Sequence, residues 1–346
     1  MSINMSIKQT ALCALTLWLC LLFAAPAYGQ PGPYISPRWN NFSGDSFSSR
    51  NDHIVGTFFF YWYDIWTRQH MDPPKGKHNI RPDYDYLNPI PFSYKSPDWW
   101  AREMRRVAHG GIDMALLDYW TRGELYWSNP GLDQLNQGLN LMDAQGTRAP
   151  KIGMFFDTSS MKDVDLATPA GKDLLYNAIR DFYSRIRPDR WARINGRVVV
   201  VLYKGGGMLN VNGAAFREAD ARFAREFGGS RLFLIGGAGW RKHDVPISLT
   251  WEWGAAKQPD CTRITEDDIA GIGPGFTHLN GDIARDRRRG ETYRQAWEKA
   301  LRSGKRHVFI ETWNELHEGT GILPTREHGN RELNNTREYA RRWRSR

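Results

Sequence analysis

Short apolar and aromatic runs alternate with amphipathic stretches along most of the chain. The runs at residues 53–63, 112–119, 151–156 and 197–203 lack the alternation of a half-exposed strand, and the last holds four consecutive valines. Runs of this kind predict strands buried on both faces. Further strands are predicted at 231–235, 247–251, 276–280 and 308–312. Between them, 97–109, 132–144, 170–186, 214–227 and 293–303 have helical periodicity. Gly110-Gly111 and Gly228-Gly229 supply stops for two of these helices. Strand and helix in alternation predict parallel strands joined by helical crossovers. Eight strands over this length predict an α/β fold, a single (β/α)8 TIM barrel over residues 53–346. Residues 30–52, rich in Pro, Ser, Asn and Gly, read as an arm or linker.

The start of the chain has a different pattern. Lys8 precedes an apolar stretch at 11–25 that is short for a bilayer span. Small residues lie before Gln30, at Ala25, Ala27 and Gly29. Residues 1–29 are therefore expected to be a signal peptide. The mature protein would be secreted or periplasmic, without stable membrane insertion. Cleavage removes Cys13 and Cys20 and leaves Cys261, so no internal disulfide is expected. Stability must then come from a large core.

The chain carries a formal charge of +9, with arginines concentrated at 285–289 and 337–346. No nucleic-acid motif accompanies them, so they read as solvated basic stretches and nucleic acid is not an expected partner. Fifteen Trp and 14 Tyr are many for this length, and flat aromatic faces suit carbohydrate clefts.

In a barrel the site is built at the C-terminal ends of the strands. The residues expected there are Tyr61, Trp62, Tyr63 and Asp64 after strand one, Asp118 and Trp120 after strand two, and Asp157 and Tyr203 after strands three and four. Trp251, Glu252 and Trp253 follow the sixth run. Trp313, Asn314, Glu315, His317 and Glu318 follow the eighth. Glu315 and Glu318 are the best catalytic pair, because three-residue spacing puts both carboxyls on one side of a helical turn. Two such carboxyls can serve glycoside cleavage, one protonating the leaving oxygen and the other acting as base or nucleophile. Glu252, between two tryptophans, is a rival partner for Glu315. Glu311 is another candidate; inside a barrel it needs a partner such as an Arg, or it stays protonated. His317, His328, His70 and His78 do not form a HExxH or CxxC pattern, so neither metal nor cofactor is expected. Ser-His-Asp hydrolysis lacks its Gly-x-Ser-x-Gly elbow.

The run Trp313-Asn314-Glu315-Leu316-His317-Glu318-Gly319-Thr320, followed by Pro324, resembles the WNEWHEGTxIEP signature of the endo-α-mannosidase-like glycoside hydrolases of family 99. The run 58–63, the segment Ala108-His109-Gly110-Gly111-Ile112-Asp113 with Tyr119-Trp120, and Pro274-Gly275-Phe276 resemble further elements of that family in the same order. FFFYWYD and FSYKSPDWW also resemble a related group of secreted bacterial proteins. The resemblance implies a glycan or polysaccharide substrate, endo-acting and retaining chemistry, and α-mannan as a possible target. It implies that Glu315 is a base toward the sugar 2-hydroxyl and Glu318 the acid/base at the glycosidic oxygen. The chain departs from the pattern at Leu316, Leu323 and Glu311. A carbohydrate-binding barrel without catalysis is the alternative from another class.

Overall fold

The computed structural model describes residues 31–36, 45–71, 92–121, 128–203, 207–264, 267–278 and 284–346. The expected signal peptide lies outside them. Among the described residues no helix is long and apolar enough to cross a membrane.

The fold is mixed α/β, built on a curled, largely parallel sheet. Its parallel strands are β1 (Val55–Phe59), β2 (Met114–Tyr119), β3 (Lys151–Asp157), β4 (Arg197–Tyr203), β5 (Leu232–Gly236), β6 (Ile247–Thr250), β7 (Ile269–Ile272) and β8 (His307–Ile310). They lie in the order β6-β5-β4-β3-β2-β1-β8-β7. Every residue of β1, β2, β5 and β8 is buried, which accounts for their continuous apolar runs.

Local signals set the helices. In α1 (Pro97–His109) the Ser96 hydroxyl accepts the Trp99 N–H, Pro97 opens the first turn, and Trp99, Trp100, Met104 and Val107 face the core. Gly111 then adopts φ 73°, a left-handed conformation that a glycine accepts without strain. The helices α2 (Gly131–Ala144), α3 (Pro169–Ser184) and α4 (Gly213–Glu226) follow β2, β3 and β4. Thr168 and Asn212 cap α3 and α4. Among the described residues no α-helix follows β5 or β6; β5 leads into a 3-10 helix, Ala238–His243. The helix α5 (Glu291–Arg302) precedes β8, and α6 (Arg331–Arg344) closes the chain.

Two elements differ from the sequence expectation. The seventh strand is Ile269–Ile272 rather than 276–280. Phe276–Thr277 instead pairs antiparallel with Ala284–Arg285, outside the main sheet, while Asn280 lies outside the described residues. The basic stretch 337–346 is not merely solvated: α6 buries Leu333, Tyr339, Ala340 and Trp343. Tyr339 stacks on Trp297 of α5 at 5.8 Å between ring centres, while Arg342 pairs with Glu298 at 2.6 Å.

The sheet is open between β6 and β7 among the described residues. The edge of β7 pairs antiparallel with Thr262–Arg263, and no ladder joins β6 to β7 among the described residues. Side chains span part of the break. The backbone N–H and hydroxyl of Thr250 donate to Asp268 Oδ2 at 2.7 and 2.9 Å, and the Asp268 N–H donates to the Thr250 hydroxyl at 2.8 Å. Phe58, Phe155, Trp251 and Phe309 fill the concave side of the sheet, with Phe58 at 4.5 Å from both Phe155 and Trp251.

Candidate active site

β1 ends earlier than its apolar run because a side chain takes over from the ladder. Beyond Phe59, the Phe60 N–H donates to Asn314 Oδ1 at 2.8 Å, and Asn314 Nδ2 donates to the Phe60 carbonyl at 2.6 Å. Asn314 thus acts as one more backbone unit of β8. Tyr63 adds a second fixing: its hydroxyl donates to the Asn314 carbonyl and accepts the Leu316 N–H, both at 3.0 Å. On the outer side, Trp313 Nε1 donates to Glu103 of α1 at 2.9 Å, and Arg102 and Arg106 neutralise that carboxylate. Glu315 is therefore mounted on a segment fixed to β1 and α1. It caps a single 3-10 turn, Leu316–Glu318, and Gly319 leaves it at φ 63°.

The turn faces a cavity of about 420 Å³. Glu315, His317 and Glu318 enter it from β8, Trp62 from β1, Trp120 from β2, Asp157 from β3, Tyr203 from β4 and Trp253 from β6. Phe60, Phe155, Gln69, His70 and Lys257 complete the lining. Trp253 stacks on Phe155 at 5.4 Å, and Trp62 lies 4.6 Å from Phe60. These walls offer flat apolar faces beside polar atoms, as a sugar ring requires.

Carboxyl oxygens of Glu315 and Glu318 and a ring nitrogen of His317 all lie within 4.8 Å of one another. Such a trio could also hold a metal ion. Glu315 is buried, its Oε2 has no hydrogen-bond partner among the described residues, and Oε1 lies 3.6 Å from His317 Nε2. Burial, then the charges of Glu318 and Asp118, push its pKa well above the usual carboxylate range, against the pull of Lys257. The Lys257 ammonium lies 3.5 Å from Glu318 Oε1. Burial also raises Asp157, whose Oδ1 accepts the Ser159 N–H at 2.9 Å. Tyr203 is pushed up to about 12, by burial and then by Asp157, Glu315 and Glu318.

Other residues expected at the site are placed elsewhere. Asp64 turns into its own network, accepting from Ser93 at 2.7 Å and pairing with Lys95 at 2.6 Å. Burial opposes ionisation there, but the Lys95 ammonium and the neighbouring hydroxyls hold the pKa below its usual value. Tyr61 donates to Asn129 at 3.0 Å, and Tyr63 is spent on the β8 segment. Asp118 is buried behind the cavity lining, raised well above the usual range by burial and then by Asp157. Trp251 belongs to the core, and Trp313 and Asn314 are anchors. Glu252 pairs with Arg263 and lines a separate cavity at the β6–β7 break, not the one that holds Glu315. Glu311 is buried with no Arg paired to it among the described residues; it accepts N–H groups of Gly254 and Ala256 at 3.0 and 3.1 Å. Burial raises its pKa to about 7, against those hydrogen bonds.

Sequence reasoning missed Lys257 and Gln69, which stand in loops with no motif, and weighed His70 only as a metal ligand. It also missed Arg287. Within the supposedly solvated run 285–289, Arg287 is buried and donates to the carbonyls of Gly319 and Gly321 at 2.8 Å each. It thereby fixes the chain just past Glu318.

The structure is similar to that of the family 99 endo-α-mannosidase from Bacteroides thetaiotaomicron, with a TM-score of 0.63 and 16% identity over 85% of this chain and 98% of that one. It is also similar to a solved glycoside hydrolase-like protein, with a TM-score of 0.65 and 13% identity over 88% of this chain and 98% of that one. At these identities the likeness is one of fold. No curated protein matches the sequence. A family model described as a domain of unknown function, DUF5010, matches residues 41–346, and the chain belongs to that family.

Proposed function

We propose that this chain is an exported glycoside hydrolase that cleaves a glycan or polysaccharide, with Glu315 and Glu318 as its catalytic pair. The observation that carries the reading is the approach of these two carboxyls, within 4.8 Å, in a cavity walled by Trp62, Trp120 and Trp253. Retaining glycosidases place their carboxyls about 5–5.5 Å apart, so the spacing favours that stereochemistry. We read the sheet as a (β/α)8 barrel whose eight strands follow chain order, with Thr250 and Asp268 meeting where its ends come together. An endo-acting enzyme on an α-mannan-like chain is the substrate reading that the motif resemblance supports.

In this scheme Glu318 gives its proton to the glycosidic oxygen as the C–O bond breaks, while Glu315 takes the proton of the sugar 2-hydroxyl and that oxygen bonds to the anomeric carbon. Water then opens the three-membered ring at that carbon, giving a proton to Glu318 as Glu315 returns its own to the 2-oxygen. The high proton affinity of buried Glu315 suits a base, provided it is ionised when it acts. Activity of the free enzyme should therefore rise with pH as Glu315 loses its proton. An acid role for Glu315 predicts the opposite limb.

Turnover of a glycan panel that includes α-mannan tests the reading. Glu315→Gln and Glu318→Gln should each lower turnover by about 10²–10⁴-fold while folding and glycan binding persist. Collapse with Glu252→Gln and survival of the other two variants would transfer the role to Glu252. Glycan binding without any turnover would make the protein a binding module. N-terminal sequencing of exported protein should find Gln30 first.

A further inference from the structure

We propose that Glu311 is a positioning residue whose carboxylate sets the turn that holds Lys257 against Glu318. The proposal rests on the hydrolase reading for its catalytic consequence, but its geometry stands apart from that reading. Among the described residues no helix follows β6, so the segment from Trp253 to Lys257 lacks a regular element to fix it. That segment brings two groups to the cavity: Trp253, stacked on Phe155, and Lys257, with its ammonium 3.5 Å from Glu318 and 4.9 Å from the Phe276 ring centre.

Glu311 stands one residue past the end of β8 and is buried. One of its oxygens accepts the Gly254 N–H at 3.0 Å and the other the Ala256 N–H at 3.1 Å. The carboxylate therefore grips the turn on both sides of Ala255. Gly254 has φ 108°, which a side chain rarely adopts, so the turn needs both this glycine and an acceptor for its inward amides. Gly273 permits the close approach: a Cβ there would lie 2.7 Å from Ala256 Cβ and 3.1 Å from the Glu311 carbonyl. The outer edge of the turn is held separately, by Arg285 Nε on the carbonyls of Lys257 and Gln258 at 3.1 Å each. Glu311 and Glu318 thus come from the same end of β8, and Glu311 reaches Glu318 again through the turn. A small polar residue at 311 lacks the length and the second oxygen to do this.

Gln at 311 keeps the shape but offers a single acceptor oxygen, so one of the two amides loses its partner. The test uses the full chain with its lysines dimethylated by ¹³C-formaldehyde, each giving an NMR signal, and with Lys257→Arg identifying the signal of Lys257. In the otherwise unchanged protein that signal should move when Glu318→Gln is introduced. In Glu311→Gln it should lie among the exposed lysines, and its response to Glu318→Gln should at least halve. Glu311→Asp, too short to span both amides, should do the same and serves if the Gln variant does not fold. An unchanged Lys257 signal in a folded variant overturns the proposal, whether or not any glycan is hydrolysed. On a glycan that is turned over, kcat/KM should fall about tenfold in Glu311→Gln, the scale of one lost charge-assisted hydrogen bond. Adding Glu311→Gln to Lys257→Met should then cost little more than Lys257→Met alone; additive losses would mean that Glu311 acts by another route.

Discussion

Replacing Asn314 separates an anchor from a sugar contact. Both ends of its amide are committed to Phe60, at 2.8 and 2.6 Å, and the side chain is fully buried. Asn314→Leu keeps the approximate volume and leaves a buried N–H and a buried carbonyl without partners. Each such group costs about 1–3 kcal/mol, so the variant should lose roughly 2–6 kcal/mol. Against a total stability of about 5–15 kcal/mol for a typical domain, that is a large share. Asn314→Asp keeps the acceptor but turns a carboxylate oxygen toward the Phe60 carbonyl. Its loss should be at least as large at pH 7 and smaller in acid, where a protonated Asp can donate to that carbonyl. Urea unfolding followed by linear extrapolation reads the difference, with an unchanged slope expected. A Leu variant as stable as the parent but unable to bind glycan would refute the reasoning and place Asn314 at the sugar.

Three further outcomes are expected. His307 is buried with its pKa held down to about 4, so it contributes stability above its unfolded pKa that is lost as pH falls from about 6.5 toward 4. The full loss is about 3 kcal/mol, and His307→Gln should flatten that part of a urea-stability profile between pH 7 and pH 4. Trp343→Ala should cost about 3–5 kcal/mol in the same assay, because the ring is fully buried against Trp297 and its Nε1 donates to the Arg306 carbonyl. Dialysis against EDTA should leave turnover unchanged; loss restored by Zn²⁺ would instead assign Glu315, His317 and Glu318 to a metal.

The parts of this fold that the sequence reveals are those with local causes. Residues 97–109 are predicted as a helix and form one over the same residues, since Ser96, Pro97 and Gly110-Gly111 mark both ends. β4 is equally plain, because a run of valines buried on both faces has few other uses. β7 is not plain: Ile-Ala-Gly-Ile is short, holds a glycine, and carries no period to distinguish it from a loop. α6 hides its apolar stripe of Leu333, Tyr339, Ala340 and Trp343 among arginines that face outward. At the site, the motif marks Glu315 and Glu318, but it does not say which way a chain turns after its strand. Asn314 and Trp313 look like sugar contacts in sequence, yet they point back to Phe60 and Glu103. Lys257 and Arg287 reach the turn that carries Glu318 only through tertiary structure, and no spacing in the chain records that.

The interruption between β6 and β7 has a consequence for how the molecule comes apart. An unbroken ring has no outermost strand, so none can detach before its neighbours. This sheet has two ends, and they face each other across Thr250 and Asp268. Deuterium should enter the backbone first along those ends, where few ladder bonds must open, and last at β2 and β3 in the middle of the order. The segment from Trp253 to Lys257 follows β6, the strand at one of those ends. Fluctuations that begin there reach one wall of the cavity while the β8 segment carrying Glu315 stays fixed to β1.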